Sequence, residues 1–308
     1  MSTPEFLDPR LTERRNPRSE RVDVASSLEI VDLMNAEDRS VPEAVHRARE
    51  GLARAIDLVV AAFSAGGRLV YVGAGTSGRL GVLDATECPP TFGTPPEMVV
   101  GVIAGGRAAL DQSQEGAEDD EAAGAEAMNR LAASERDVVI GIAASGTTPF
   151  VAAALKRASE LGAPTAFLTC SDPPEGIAAT VDVMLAIPVG PEVVTGSTRL
   201  KAGTATKLAL NTITTGAMIR SGKAYGNLMV DLVALSQKLH DRGERIVMEA
   251  CGVDRAAARR AVGDAAGSVK LAIVMVRRGV DAAAARALLE EAGGFVRGAA
   301  GDPPAVIE

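Results

Sequence analysis

Five short runs of apolar residues punctuate the middle of the chain: Arg68–Gly73 (RLVYVG), Met98–Ala104 (MVVGVIA), Asp137–Ala143 (DVVIGIA), Pro164–Cys170 (PTAFLTC) and Asp182–Pro188 (DVMLAIP). Each is apolar at consecutive positions rather than at alternate ones, the pattern of parallel strands covered on both faces. Helical stretches, including 118–132 and 149–161, lie between them. This alternation predicts an α/β protein, a three-layer αβα sandwich around a five-stranded parallel sheet. Two helical patterns come first, 22–35 and 41–65; the second opens with Ser40 as N-cap and Pro42 in its first turn, and stops at Gly66-Gly67. Residues 1–21 are polar, without period, and read as an arm or extended strap.

Beyond residue 197 the pattern is helical. One helix runs to Ser221-Gly222. A second, from about 226, carries Leu228, Leu232, Leu235 and Leu239 on one stripe and ends near Cys251-Gly252. Short Ala-rich helices follow, with Asp254 and Asp281 as caps and breaks at Gly279 and Gly293-Gly294. The expected organisation is an N-terminal arm with helices (1–58), a sheet domain (59–222) and a small C-terminal helical annex (223–308).

Composition narrows the function classes. A net charge of −8 argues against nucleic acid or an anionic membrane as partner. No apolar run approaches the roughly 20 residues of a membrane helix, and the first residues show no apolar core of a signal peptide. Cys88, Cys170 and Cys251 are far apart and form no CxxC pair, which fits a reducing cytoplasm. With only His46 and His240, a His-rich metal site is nearly excluded. Aromatics at 3%, with no Trp, count against stacking platforms for bases or sugars.

Ligands of doubly wound sheets bind at the carboxyl ends of the strands, so the loops after Gly73, Ala104 and Ala143 are the ones that matter. The first, Gly73-Ala74-Gly75-Thr76-Ser77-Gly78-Arg79, satisfies G-x-G-x-x-G. A dinucleotide site would need an acidic residue ending the next strand, and that strand ends Ile103-Ala104-Gly105-Gly106. Thr76 and Ser77 suit a terminal phosphate instead, because hydroxyls and backbone N–H groups at a helix start hold such groups. The second loop, Ala143-Ala144-Ser145-Gly146-Thr147-Thr148-Pro149, repeats the arrangement of strand, small residues, hydroxyls and helix. Together the two loops can wrap a phosphomonoester without a metal. The absence of GxxxxGK[ST] disfavours a nucleoside triphosphate.

Two carboxylates follow strands of the same sheet. Glu87, in Asp84-Ala85-Thr86-Glu87-Cys88-Pro89-Pro90, reads as the end of the helix that starts at the first loop, an unfavourable place for a negative charge. The plain alternative is a solvated glutamate before a Pro-Pro stop. Glu118, in Gln114-Glu115-Gly116-Ala117-Glu118-Asp119-Asp120, opens a helix where acids are favourable anyway, yet it follows the second strand's carboxyl end. A pair of glutamates would serve acid/base work. The segment Gly190–Lys207 is rich in small, hydroxylated and cationic residues; Ser197 or Thr198 can cap the helix that follows, and Glu192, Arg199 and Lys201 are candidate walls for an anionic ligand.

The run GAGTSGRLGVLDATECPPTFG from Gly73, the segment EGAED and the run GPEVVTGSTRLKAGTATK occur in order at plausible spacing. Together they resemble the N-acetylmuramic acid 6-phosphate etherase family, and the last run is also similar to a signature shared with glucokinase regulatory proteins. The resemblance extends from the TERRNP arm to the helical C-terminus. Thr86 stands where relatives often have Ser, and Thr147 where some have Arg.

The resemblance implies a sugar isomerase (SIS) fold, a cytoplasmic homodimer, and a part in bacterial cell-wall sugar recycling. It implies cleavage by water of the D-lactyl ether of a sugar phosphate, giving N-acetylglucosamine 6-phosphate and D-lactate, with neither metal nor redox cofactor. The family's two glutamates fall on Glu87 and Glu118. The expected substrate and phosphate contacts are Gly75, Thr76, Ser77, Ser145, Gly146, Thr147, Thr148, Glu192, Ser197 and Lys201. Competing expectations are a non-catalytic sugar-phosphate-binding regulator, which tends to carry two such domains, and an aldose–ketose phosphate isomerase, which needs no lactyl pocket.

Overall fold

The five apolar runs form one parallel sheet. Its strands are β1 (Leu69–Gly73), β2 (Val99–Ile103), β3 (Val138–Ile142), β4 (Thr165–Thr169) and β5 (Val183–Ala186), in the order β2-β1-β3-β4-β5. The structure, a computed structural model, describes residues 8, 10–231 and 237–305. β1, β3 and β4 are buried along their whole length, as their unbroken apolar sequences require; β2 and β5, at the edges, are partly exposed. Register aligns Gly73 with Ile103 on one side and with Ile142 on the other. The chain leaves β1 toward β2 and then crosses back to β3, so the switch point of the sheet lies between the ends of β1 and β3.

Glycines let the helices approach. A Cβ on Gly141 would lie 2.7 Å from the Val151 side chain of the Pro149–Glu160 helix. That helix buries Phe150, Val151, Ala154, Leu155 and Ala158 against a core that includes Val70, Val72, Val139 and Phe167. The helices Arg49–Ser64 and Pro149–Glu160 both contact the sheet, completing the expected three-layer packing.

The chain forms two units: Met1–Ala85 with Glu97–Thr214, and Thr86–Pro96 with Thr215–Glu308. In the first, the expected 22–35 helix runs Ser27–Asp38, opened by a capping box between Ser26 and Glu29. The expected 41–65 helix divides at Ala48 into Val41–Arg47 and Arg49–Ser64. Ser40 does not cap with its side chain; its hydroxyl donates to the Glu37 carbonyl at 2.9 Å.

The arm is not loose. Asn16 donates to Glu37 Oε2 at 2.9 Å and to the Pro191 carbonyl at 3.3 Å, Ser19 Oγ donates to the Val193 carbonyl at 2.8 Å, and the Gly196 N–H donates to the Thr12 carbonyl at 3.1 Å. These bonds strap it across the 190–198 loop.

The second unit departs from expectation near its start. Ala224–Tyr225 and Leu228–Met229 pair as an antiparallel hairpin (β6 and β7) where the expected helix was to start, and among the described residues the helix covers Gln237–Cys251. Gly226, at φ +60°, and Asn227 form a two-residue loop of the kind hairpins favour, a signal the leucine spacing obscured. Leu228 therefore belongs to a strand and Leu239 to a helix, while Leu232 and Leu235 lie outside the described residues. Leu228 and Leu239 both pack against the unit's own core of Tyr225, Val247, Ile273 and Val274. The expected caps are present: Asp254 accepts from the Ala257 N–H at 2.7 Å and Asp281 from the Ala284 N–H at 2.9 Å, and Gly279 ends its helix in the left-handed conformation.

Candidate active site

At the end of β1 the chain turns at Ala74 and enters the Gly75–Phe92 helix at once. The turn is tight enough that a Cβ on Gly73 would sit 2.6 Å from the Gly78 nitrogen, and one on Gly78 would sit 2.7 Å from the Gly73 oxygen. Both positions exclude a side chain, and the helix's first turn, with its free N–H groups, stays against the strand end. Thr76 and Ser77 are held in that first turn.

At the end of β3, Gly146 adopts φ +87° and its N–H donates back to the Ala143 carbonyl at 2.9 Å. Ser145 Oγ and Thr147 Oγ1 are 3.3 Å apart. Thr148 occupies the N-cap of the next helix without a side-chain capping bond. Its hydroxyl is therefore not spent on the helix.

The two loops share one cavity of about 410 Å³ in the first unit. Gly75, Thr76, Ser77, Ser145, Thr147 and Thr148 all line it. Glu118 lines it too, carried by the Ala117–Asp119 turn that follows Gly116, whose φ is +73°. An adjoining cavity of about 250 Å³ is bordered by Arg79, Gln114 and Glu115, and Glu118 borders both spaces. A carboxylate thus stands between a hydroxyl-rich chamber and a second one.

Glu87 is not among the lining residues of either cavity. It is exposed and belongs to the second unit. The Pro-Pro sequence after it does not stop the helix, which continues through Pro89 and Pro90 to Phe92, so the expected position at a helix C-terminus does not hold. Upstream, Asp84 is buried and accepts from Tyr71 Oη at 3.1 Å, Asn211 Nδ2 at 2.6 Å and Thr214 Oγ1 at 3.2 Å. Loss of water raises its pKa despite those bonds.

Glu192 and Lys201 are placed elsewhere. Both are almost fully buried. Glu192, not Ser197 or Thr198, caps the Lys201–Arg220 helix, accepting from the Lys201 N–H at 3.0 Å and the Ala202 N–H at 2.9 Å. A carboxylate at a helix start satisfies two free N–H groups and complements the dipole, which a hydroxyl does less well. Burial pushes the Glu192 pKa up against the pull of those N–H groups and of Lys201. The Lys201 ammonium pairs with Glu37 at 2.7 Å. Neither residue borders the cavity; Gly196 and Thr198 of this segment do, whereas Ser197 and Gly146 do not.

Arg10 and Glu13 of the strap and Asp119 line the cavity without having been singled out from the sequence. Arg10 grips Asp8, with Nε to Oδ1 at 2.9 Å and Nη2 to Oδ2 at 2.6 Å, and this holds the Asp8 carboxyl down at about 2. The signal was weak because the strap has no hydrophobic period, so nothing but the TERRNP run marked it.

Residues 51–159 match the profile of the glucokinase regulatory protein N-terminal SIS domain. The N-acetylmuramic acid 6-phosphate etherase of Edwardsiella ictaluri is 55% identical over 269 residues, 87% of this chain and 89% of that one. The protein of the same name from Mesorhizobium japonicum is 50% identical over 299 residues, 97% of each chain. Among solved structures, the phosphoheptose isomerase of Neisseria gonorrhoeae is similar with a TM-score of 0.47 and 24% identity, covering 62% of this chain and 97% of that one.

Proposed function

This chain belongs to the N-acetylmuramic acid 6-phosphate etherase family, and we propose that it cleaves the D-lactyl ether of N-acetylmuramic acid 6-phosphate with water, yielding N-acetylglucosamine 6-phosphate and D-lactate. The observation that carries this reading is Glu118 on the wall of the same cavity as two hydroxyl-rich loops at the sheet's switch point. A regulator that only binds sugar phosphate would need the loops but no base.

The chemistry follows from the substrate. An ether oxygen is a poor leaving group, and displacement at a crowded secondary carbon is slow. In the open-chain sugar the C1 aldehyde acidifies the C2 proton. Glu118 takes that proton, the C3–O bond breaks as the C2–C3 double bond forms, and Glu87 gives a proton to the departing lactate oxygen. Water then adds at C3 and a proton returns to C2. The part given to Glu87 rests on the ECPP motif. Incubation of the purified protein with N-acetylmuramic acid 6-phosphate is expected to release D-lactate, measured with a lactate dehydrogenase assay. No release from the folded protein rejects the reading.

In this account Thr76, Ser77, Ser145, Thr147 and Thr148 hold the phosphate. Loss of one hydrogen bond to a charged group amounts to about 1.5–3 kcal/mol. Ser77→Ala is therefore expected to raise KM for the 6-phosphate substrate by about tenfold or more; an unchanged KM removes that loop from the cradle. Glu192 and Lys201 act at one remove: Glu192 caps the start of the Lys201–Arg220 helix, and the Lys201 ammonium ties that start to Glu37.

We further propose that the enzyme is a cytoplasmic homodimer. Val24, Leu28, Val31 and Val194 of the first unit are each more than half exposed, and Leu28 and Val31 lie three residues apart on the Ser27–Asp38 helix, on one face of it. Sedimentation at micromolar concentration is expected to give twice the chain mass of 31.5 kDa, and Leu28→Glu to shift it toward one. A single-chain species for the unmodified protein speaks against the dimer.

A further inference from the structure

A phosphomonoester is nearly a dianion, and the hydroxyls of the two loops carry no charge to meet it. Each helix start contributes the equivalent of about half a positive charge. Among the described residues that line the cavity, Glu13, Glu118 and Asp119 are acidic, and the cation is Arg10. Its position is set by the fold. The strap that carries it is tied to the 190–198 loop through Thr12 and Ser19, and Asp8 takes the Nε and Nη2 edge of the guanidinium. Asp8 is itself steadied by the Arg10 N–H at 2.8 Å, and its carbonyl accepts from Arg14 Nε at 3.0 Å. Nη1 is left over. It donates to Thr147 Oγ1 at 3.3 Å, in the middle of the second hydroxyl loop.

From this we infer that Arg10 is a substrate-binding residue: its Nη1 side meets the phosphate that the hydroxyls of Ser145 and Thr147 hold, so the N-terminal strap completes the anion site from outside the sheet. The inference rests on the reading of this cavity as the sugar-phosphate site. An arginine suits the task because its planar fork binds Asp8 on one edge and presents a second, separately aimed N–H group to an oxygen. Asp8 has a matching part. It fixes the plane of the guanidinium before the ligand arrives, so little side-chain freedom is lost on binding. Glu13 and Asp119 on the same walls disfavour anions that do not reach the hydroxyls.

The test is binding, read by titration calorimetry with N-acetylglucosamine 6-phosphate, which has the phosphate but no lactyl group. Arg10→Ala is expected to weaken it by about tenfold or more, and Arg10→Lys to recover part of the loss, with melting temperatures unchanged. Equal affinity in Arg10→Ala and the unmodified protein overturns the inference. So does a variant whose KM for the lactyl substrate rises while its affinity for N-acetylglucosamine 6-phosphate is kept, since the guanidinium then serves the lactyl carboxylate. An unmodified protein that binds N-acetylglucosamine 6-phosphate in an Arg10-dependent way yet releases no D-lactate leaves Arg10's role standing and rejects the etherase reading alone.

Discussion

Glu118→Gln is expected to lose turnover by about 10²–10⁴-fold, the range that general acid–base groups contribute. It should lose C2 proton exchange with deuterated water as well. Glutamine keeps the shape of the side chain and its place on the Ala117–Asp119 turn, so a loss reports on the proton and not on the fold. Glu87→Gln should behave differently. With the acid gone and the base intact, the C2 proton should still exchange although lactate is not released. The two variants therefore separate the roles by nuclear magnetic resonance of the substrate in deuterated water. Exchange in Glu118→Gln and none in Glu87→Gln would reverse the assignment. Near-native turnover in both would remove both glutamates from the chemistry. Only Glu118 has a structural argument behind it, as the carboxylate that borders both cavities.

The sheet was legible because buried parallel strands write an unambiguous pattern. VYVG and VVIGI have no polar alternation, and each leads through small residues into a hydroxyl-rich turn. The first hydroxyl-rich loop was legible as a turn for a different reason: glycine is required where its helix start touches the strand end, and the structure shows what a Cβ at Gly73 or Gly78 would strike. What the sequence hid was long-range. Lys201 looked like a ligand-facing cation because nothing local reveals that Glu37, 164 residues away, reaches its ammonium. Glu192 looked like a polar wall, but its partners are the two N–H groups nine and ten residues on, at the start of a helix whose cap was expected from Ser197 or Thr198. Residues 1–21 read as an arm or extended strap, but where the strap is tied was hidden, because its hydrogen bonds run from polar side chains to backbone carbonyls of the 190–198 loop, and such bonds leave no hydrophobic period. The leucine stripe misled in the opposite direction: helical spacing was present, and the Gly226-Asn227 turn overrode it.

The buried charge cluster beneath the strap should be the most sensitive point of the first unit. Glu37 and Lys201 have side chains only 2% exposed and 2.7 Å apart. Asn16 donates to the same carboxylate oxygen at 2.9 Å, and Arg18, largely exposed, reaches the other at 2.5 Å. Glu37→Gln leaves the Lys201 ammonium in the interior without that counter-charge, a change that typically destabilises by about 3–5 kcal/mol. For a unit of this size that is on the order of 10 °C in melting temperature, measured by scanning calorimetry. Lys201→Met should be milder, because Arg18 and Asn16 still meet Glu37. The double variant Glu37→Leu/Lys201→Met, with both charges gone, should recover most of the loss. The pH dependence has a definite sign. Burial works against ionisation of Glu37, but the hydrogen bond and charge of Lys201, with Asn16 and Arg18, outweigh it and hold the carboxyl below its ordinary range. Its contribution is then complete above the ordinary glutamate value and is lost as pH falls through the lower, folded value. The gap between the unmodified protein and Glu37→Gln should accordingly be widest near neutrality and narrow below about pH 4. A gap that widens on acidification, or a Glu37→Gln protein that melts with the unmodified one at pH 7, would show that the pair does not hold the strap and the helix start together.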